Sequence, residues 1–248
     1  MKKKIILLCG FVLFAQLISA VTLNVPSEYN NIQDAINSSV EGDIVLVAAG
    51  TYYENIDFLG KGITLITNAS ATIDGNNNGR VITVADVIEG TAVIDGFTIQ
   101  NGLLDTPDIA LCGAGIYCHD SSLTIRNCNI INNTAFYEDF DDNGSFGGGI
   151  YCLDSDVIID NNDIIENYAG YDPFGYQGDQ SRIGQGGGIY SIGSNLYISN
   201  NNISNNKVGI VNETSSSSSF GCKGGGIYCE GTTTIINNTV ENNFVTGV

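Results

Sequence analysis

Gly147-Gly148-Gly149-Ile150-Tyr151-Cys152, running on to Asn167, is a phrase that the second half of the chain writes four times. It opens at Gly113 as GAGIYC, at Gly147 as GGGIYC, at Gly186 as GGGIYS and at Gly224 as GGGIYC. The glycines before the isoleucine (Gly115, Gly149, Gly188, Gly226) are 34, 39 and 38 residues apart. Periods of this size denote stacked supersecondary units. Register persists inside each unit. Ile125, Ile159, Ile198 and Ile235 form one column, Asn127, Asn161, Asn200 and Asn237 a second, Ile130, Ile164, Ile203 and Val240 a third, and Asn133, Asn167, Asn206 and Asn243 a fourth. Each copy holds three short apolar runs, such as GIYC, VIID and IIEN, none with the length or period of a helix. Such trios cannot bury a face alone, but stacked copies pair strand on strand about 4.8 Å apart. The Asn columns fit tight corners, because Asn tolerates left-handed backbone and its amide can bond to the copies above and below.

The fold expected is therefore all-β, a single-stranded right-handed parallel β-helix (solenoid) of about six coils with a short N-terminal capping helix. Four GGGIY repeats occupy residues 113–248, two irregular coils residues 51–112, and an entry segment residues 21–50. In that segment Ile32, Ala35 and Ile36 share a helical face, with Ser27 or Asn30 as the cap, and a strand follows at 44–48. The helix would cover the open edge of the first coil. Residues 244–248 read as the opening of a further insertion, so more coils or an anchoring domain are expected beyond the fourth copy.

These repeats resemble the right-handed parallel β-helix proteins of the pectate-lyase-like superfamily, and more closely the polymorphic outer membrane proteins. The latter carry repeated GGA[IVL] and FxxN tetrapeptides. Here GGGI occurs three times, and the second element reads IxxN or VxxN, from Ile130 to Asn133, Ile164 to Asn167, Ile203 to Asn206 and Val240 to Asn243. The resemblance implies a secreted or surface-displayed scaffold, or else pectate lyase, pectin esterase or polygalacturonase chemistry.

Residues 1–20 combine three lysines, an apolar run and a small-residue end, the pattern of a secretory signal peptide. No later segment is long and apolar enough to span a bilayer. Removing residues 1–20 leaves six basic against 27 acidic residues, a net charge of −21, which excludes nucleic acid as a partner. Six cysteines remain in a compartment that permits disulfides. Cys118, Cys152 and Cys229 share an inward column whose parallel Cβ vectors stay about 4.8 Å apart, beyond disulfide reach, so buried thiols are expected there.

Candidate sites follow from the same register. Tyr117, Tyr151, Tyr190 and Tyr228 alternate outward from the isoleucines as a four-rung ladder. Its rings could stack on sugars, which makes a polysaccharide or cell-surface glycan the expected ligand; equally, they could stabilise neighbouring strands beneath the inserted loops. Asp120 and Asp154, two places after aligned cysteines, would stack roughly 5 Å apart, the separation of a retaining glycosidase pair, and both also suit corner chemistry. Asp139-Phe140-Asp141-Asp142-Asn143-Gly144 has the alternating oxygens and the glycine of a calcium loop, with Asp139, Asp141 and Asn143 as ligands, although Ile150 stands where an EF-hand needs Glu. His119 and Arg80 read as surface residues, Arg80 capping the GNNNG turn. Asp95, Arg126 and Asp160 should lie on successive coils. Two functions thus stand open: an adhesive or carbohydrate-contacting β-helix scaffold, and a polysaccharide-degrading lyase or glycoside hydrolase on the same fold.

Overall fold

A computed structural model describes residues 19–104, 112–136, 144–170, 184–209 and 222–245. Within them the chain is a parallel β-helix with a single short helix. Three strand stacks make up each coil. The Ile-Tyr face stacks Ile56–Asp57, Ile82–Ala85, Ile116–His119, Ile150–Leu153 and the first parts of Ile189–Ser199 and Ile227–Ile236. The middle face begins lower, with Thr22–Val25 paired to Ile44–Val47, and continues through Thr64–Asp74, Ala92–Gln100, Ser122–Arg126 and Asp156–Asp160 to the second parts of the two long strands. The third face runs from Gly50–Tyr53 to Thr239–Glu241. The middle face therefore has eight rungs and the Ile-Tyr face six, because the entry segment contributes two strands of its own.

Alternation explains the core. Inward residues of every face, including Ile116, Ile150, Ile189, Ile125, Ile159, Ile198, Ile130, Ile164 and Ile203, are fully buried. Cys118 and Cys152 point inward among them as free thiols, with Ser191 in the same column. On the last rung Ile235 and Val240 are half exposed.

Most corners of the repeats follow one pattern: a residue in left-handed backbone, then an inward polar residue that bonds along the stack. Between the middle and third faces the left-handed positions are Asn127, Asn161, Asn200 and Asn237, with φ of 55 to 57°. The residues after them, Asn162, Asn201 and Asn238, are the ladder: Asn162 Nδ2 donates to Asn201 Oδ1 at 3.0 Å and to the Ile125 carbonyl. After the third face the left-handed residues are Asn132, Glu166, Asn205 and Asn242, and Asn133, Asn167, Asn206 and Asn243 form the ladder, with Nδ2–Oδ1 distances of 2.9 to 3.0 Å. The left-handed column itself also bonds along the stack as expected, Asn161 Nδ2 donating to Asn127 Oδ1 at 2.8 Å, so the buried Asn ladder beside it is a second one. The Asn167 ladder also explains the third glycine of the repeat. A Cβ on Gly149 would lie 2.6 Å from the Gly188 carbonyl and 3.1 Å from the Asn167 side chain.

The helix Ile32–Ser38 closes the first end by burying Ile32, Ala35 and Ile36 completely. Its cap is Asn31 rather than Ser27 or Asn30. Asn31 Oδ1 accepts from the Asp34 amide at 2.7 Å, since the helix starts at Ile32, later than a cap at Ser27 or Asn30 requires. Charge complements both termini: the Glu54 carboxylate accepts from the Ile32 and Gln33 amides, and Lys61 Nζ donates to the Ile36 and Asn37 carbonyls.

Candidate functional site: an open acidic groove beside a covered tyrosine ladder

Two outward surfaces carry the residues singled out above. On the Ile-Tyr face the four tyrosines stand in one register. Tyr117 and Tyr151 rings lie 5.4 Å apart and within 1° of parallel, and Tyr151–Tyr190 and Tyr190–Tyr228 are 5.2 Å apart. A second layer covers them. Cys112, Phe146, Gln185 and Lys223, each just before the glycine turn, pair in parallel as an outer ladder. Phe146 packs 4.9 Å from Tyr190, and Cys112 packs with Tyr151 and Tyr190 in one buried cluster. Tyr151 and Tyr190 are only 8% and 7% exposed, so their ring faces meet each other rather than solvent. Burial pushes the Cys112 thiol up to about 12 and raises Tyr151 further still.

Arg80 belongs to this layer and not to the turn surface. Its guanidinium lies 4.2 Å over the Tyr117 ring and donates to the Cys112 and Gly113 carbonyls at 2.8 to 3.2 Å. Desolvation lowers its pKa, while the ring and the two carbonyls hold the charge in place. The ladder is thus clamped at its lower end, with Lys223 Nζ 5.5 Å from the Tyr228 ring at the upper.

The middle face is open instead. Its outward column Thr124, Ile158, Tyr197, Thr234 runs up successive rungs, with Ile158 and Tyr197 45% and 44% exposed. Beside it Ser122, Asp156, Asn195 and Thr232 form a polar column in which Asn195 Nδ2 donates to Asp156 Oδ1 at 2.7 Å. Together these columns floor a cleft of about 420 Å³. It adjoins a second, of about 500 Å³, walled by Val87, Ile88, Asp120, Asp154 and Gly193. The two share Ser122, Asp156 and Asn195, so they are one groove running across the rungs.

Asp120 and Asp154 both line this groove. They are stacked corner residues, with φ of 45° and 47°, below Gly193 with φ of 67°. Ser121, Ser155 and Ser194 follow them as this corner's ladder. The Ser155 hydroxyl accepts from the Ser121 amide, and the Ser194 hydroxyl from the Ser155 amide, at 3.1 to 3.2 Å. The serine column was visible in the repeat but carried no distinctive motif. The coil alignment of the irregular half also holds at the end of the middle-face strands: Arg126 Nε donates to Asp95 Oδ2 at 2.8 Å, and Asp160 stands in register above. Hydrogen bonds from Ser199 and Asn200 lower the Asp160 pKa, with Arg126 contributing less. Asp139, Asp141 and Asn143, the expected calcium ligands, lie outside the described residues.

No family model matches the chain, and no solved structure matches it. The chain is similar to a cell surface glycoprotein of Methanothermus fervidus, 31% identical over 114 residues. That match covers 45% of this chain and 16% of the relative's length. Among the described residues no helix is long and apolar enough to cross a membrane.

Proposed function

We propose that this chain is a surface-displayed β-helix scaffold whose middle-face groove contacts an extended carbohydrate. One observation carries the reading: an exposed apolar floor, Ile158 and Tyr197, is flanked on the same rungs by Asp156 and Asn195. Sugar rings need this pairing of a flat apolar contact with polar groups at its rim. The similarity to a cell surface glycoprotein supports the location. The ligand class follows from charge. Carboxylates at Asp120, Asp154 and Asp156, in a chain of net −21 once residues 1–20 are removed, repel a polyuronate and favour a neutral or amino-sugar polymer. The tyrosine ladder offers such a ligand only its half-buried end rings, Tyr117 and Tyr228.

A glycan array on the mature protein tests this. Binding to neutral or amino-sugar polymers, reduced at least tenfold by Tyr197→Ala at unchanged thermal midpoint, is the expected result. Preference for polygalacturonate, or binding indifferent to Tyr197→Ala, would sink it. The second reading, a glycoside hydrolase, is favoured by the presence of Asp120 and Asp154 in the same groove. It requires release of new reducing ends that Asp120→Asn and Asp154→Asn each abolish.

A further inference from the structure

The one histidine of the chain directly precedes Asp120 of the groove wall. His119 is the last residue of Ile116–His119 and alternates outward from the Cys118 column. The corner residue after it, Asp120, and the corner residue of the rung below, Asp86, both have left-handed backbone, with φ of 45° and 59°. The Asp86 amide donates to the His119 carbonyl at 3.1 Å, and the Asp120 amide to the Leu153 carbonyl at 3.1 Å, so the stack itself holds both corners. One ligand atom from each of the three side chains lies within 4.8 Å of the other two.

We propose that Asp86, His119 and Asp120 bind a divalent transition metal of the zinc type. The donor set decides the class. Stacked corner carboxylates alone would be turn chemistry, and calcium would ask for six to eight oxygens. Here an imidazole nitrogen joins two carboxylates, the mixed set that suits zinc, cobalt or nickel. The spacing fits as well. Metal bonds of about 2.0–2.1 Å set tetrahedral ligands roughly 3.3 Å apart, and His119 Nε2 is already 3.3 Å from Asp120 Oδ2. Asp86 has to close the remaining distance by rotating an exposed side chain. Three protein ligands leave a fourth position, and one of the three, Asp120, also lines the groove. The site stands independently of the carbohydrate reading, because its ligands come from two rungs whether or not a glycan occupies the cleft.

The single histidine makes the test direct. The mature protein is purified without a histidine tag and stripped with a chelator, and its imidazole resonances are followed by NMR during zinc titration. The expected result is a saturable one-to-one shift that calcium does not reproduce and that Asp86→Asn and Asp120→Asn each weaken at least tenfold. Asn is the chosen replacement because it keeps left-handed backbone accessible, and circular dichroism confirms that the variants are folded. Asp154→Asn, one rung higher, leaves the titration unchanged. No shift at millimolar zinc, a shift retained in the Asp86→Asn/Asp120→Asn double variant, an equal response to calcium, or an equal loss in Asp154→Asn overturns the proposal.

Discussion

The Ile-Tyr face and the middle face are built by the same alternation on the same rungs, yet one carries its aromatic column under a second layer and the other leaves it open. Tyr190 and Tyr197 lie within a single strand, Ile189–Ser199, at 7% and 44% exposure. The difference comes from where the insertions return. Each re-enters just before the glycine turn, and those returning residues, Cys112, Phe146, Gln185 and Lys223, pair with one another over the tyrosines. In the repeats the middle face is bounded by tight corners such as Asp154 and Asn161, each a single left-handed residue, and among the described residues its outward column stays half exposed. A tyrosine on this fold is thus a packing residue or a contact residue according to which corner carries the loop.

Substitution separates the two faces most sharply. Tyr190→Ala removes a ring packed on three aromatic neighbours and should cost about 3–5 kcal/mol, the range for large aromatic truncations. Tyr197→Ala should cost under about 1 kcal/mol because its ring is already half in water. Urea unfolding of both variants measures the gap, and equal losses would show that the outer layer does not protect the ladder. Arg80→Ala should come next, at about 1–3 kcal/mol, by removing the donor to the Cys112 and Gly113 carbonyls and the cation over Tyr117. Its signature is selective: faster amide exchange around the outer ladder and none around Asp156.

Thiol chemistry gives a smaller, qualitative contrast. Burial raises Cys112 to about 12, Cys118 to about 11 and Cys128 to about 12, so iodoacetamide at pH 8 should leave these three unmodified in the native protein and alkylate them after unfolding. Peptide mass mapping reads the outcome. Acid gives the smallest effect, and it falls on the open face. The Asp160 pKa is depressed by Ser199 and Asn200, so its stabilising contribution is present above the unfolded value of about 3.9 and is lost as pH falls through the lower folded value. Asp160→Asn should flatten the acid limb of the stability curve there, while leaving stability at pH 7 nearly unchanged because the group is largely solvated.

Much of this was legible before any coordinates. The Ile columns at Ile125 and Ile130, the αL preference of the Asn127 column and the Asp95–Arg126–Asp160 register follow from period and residue type, since strand stacking converts a sequence offset directly into a spatial neighbour. The candidate site was less legible. Tyr197 occurs once in its column, among Thr124, Ile158 and Thr234, so repetition drew attention to the GGGIY tyrosines and not to Tyr197. Asp86 belongs to an irregular coil with no GGGIY phrase to align it, which is why its place beneath Asp120 was not visible.

By itself the sequence determined the coil: which residues face inward, where the corners fall, and which side chains stack on which. That information is local and periodic, carried by 34- to 39-residue offsets that any parallel stack must honour. Only the tertiary structure decided what the outward residues meet. That depends on the path taken by segments outside the repeat, and two columns with identical alternation acquire opposite environments once Phe146 packs against Tyr190 while Tyr197 is left 44% exposed.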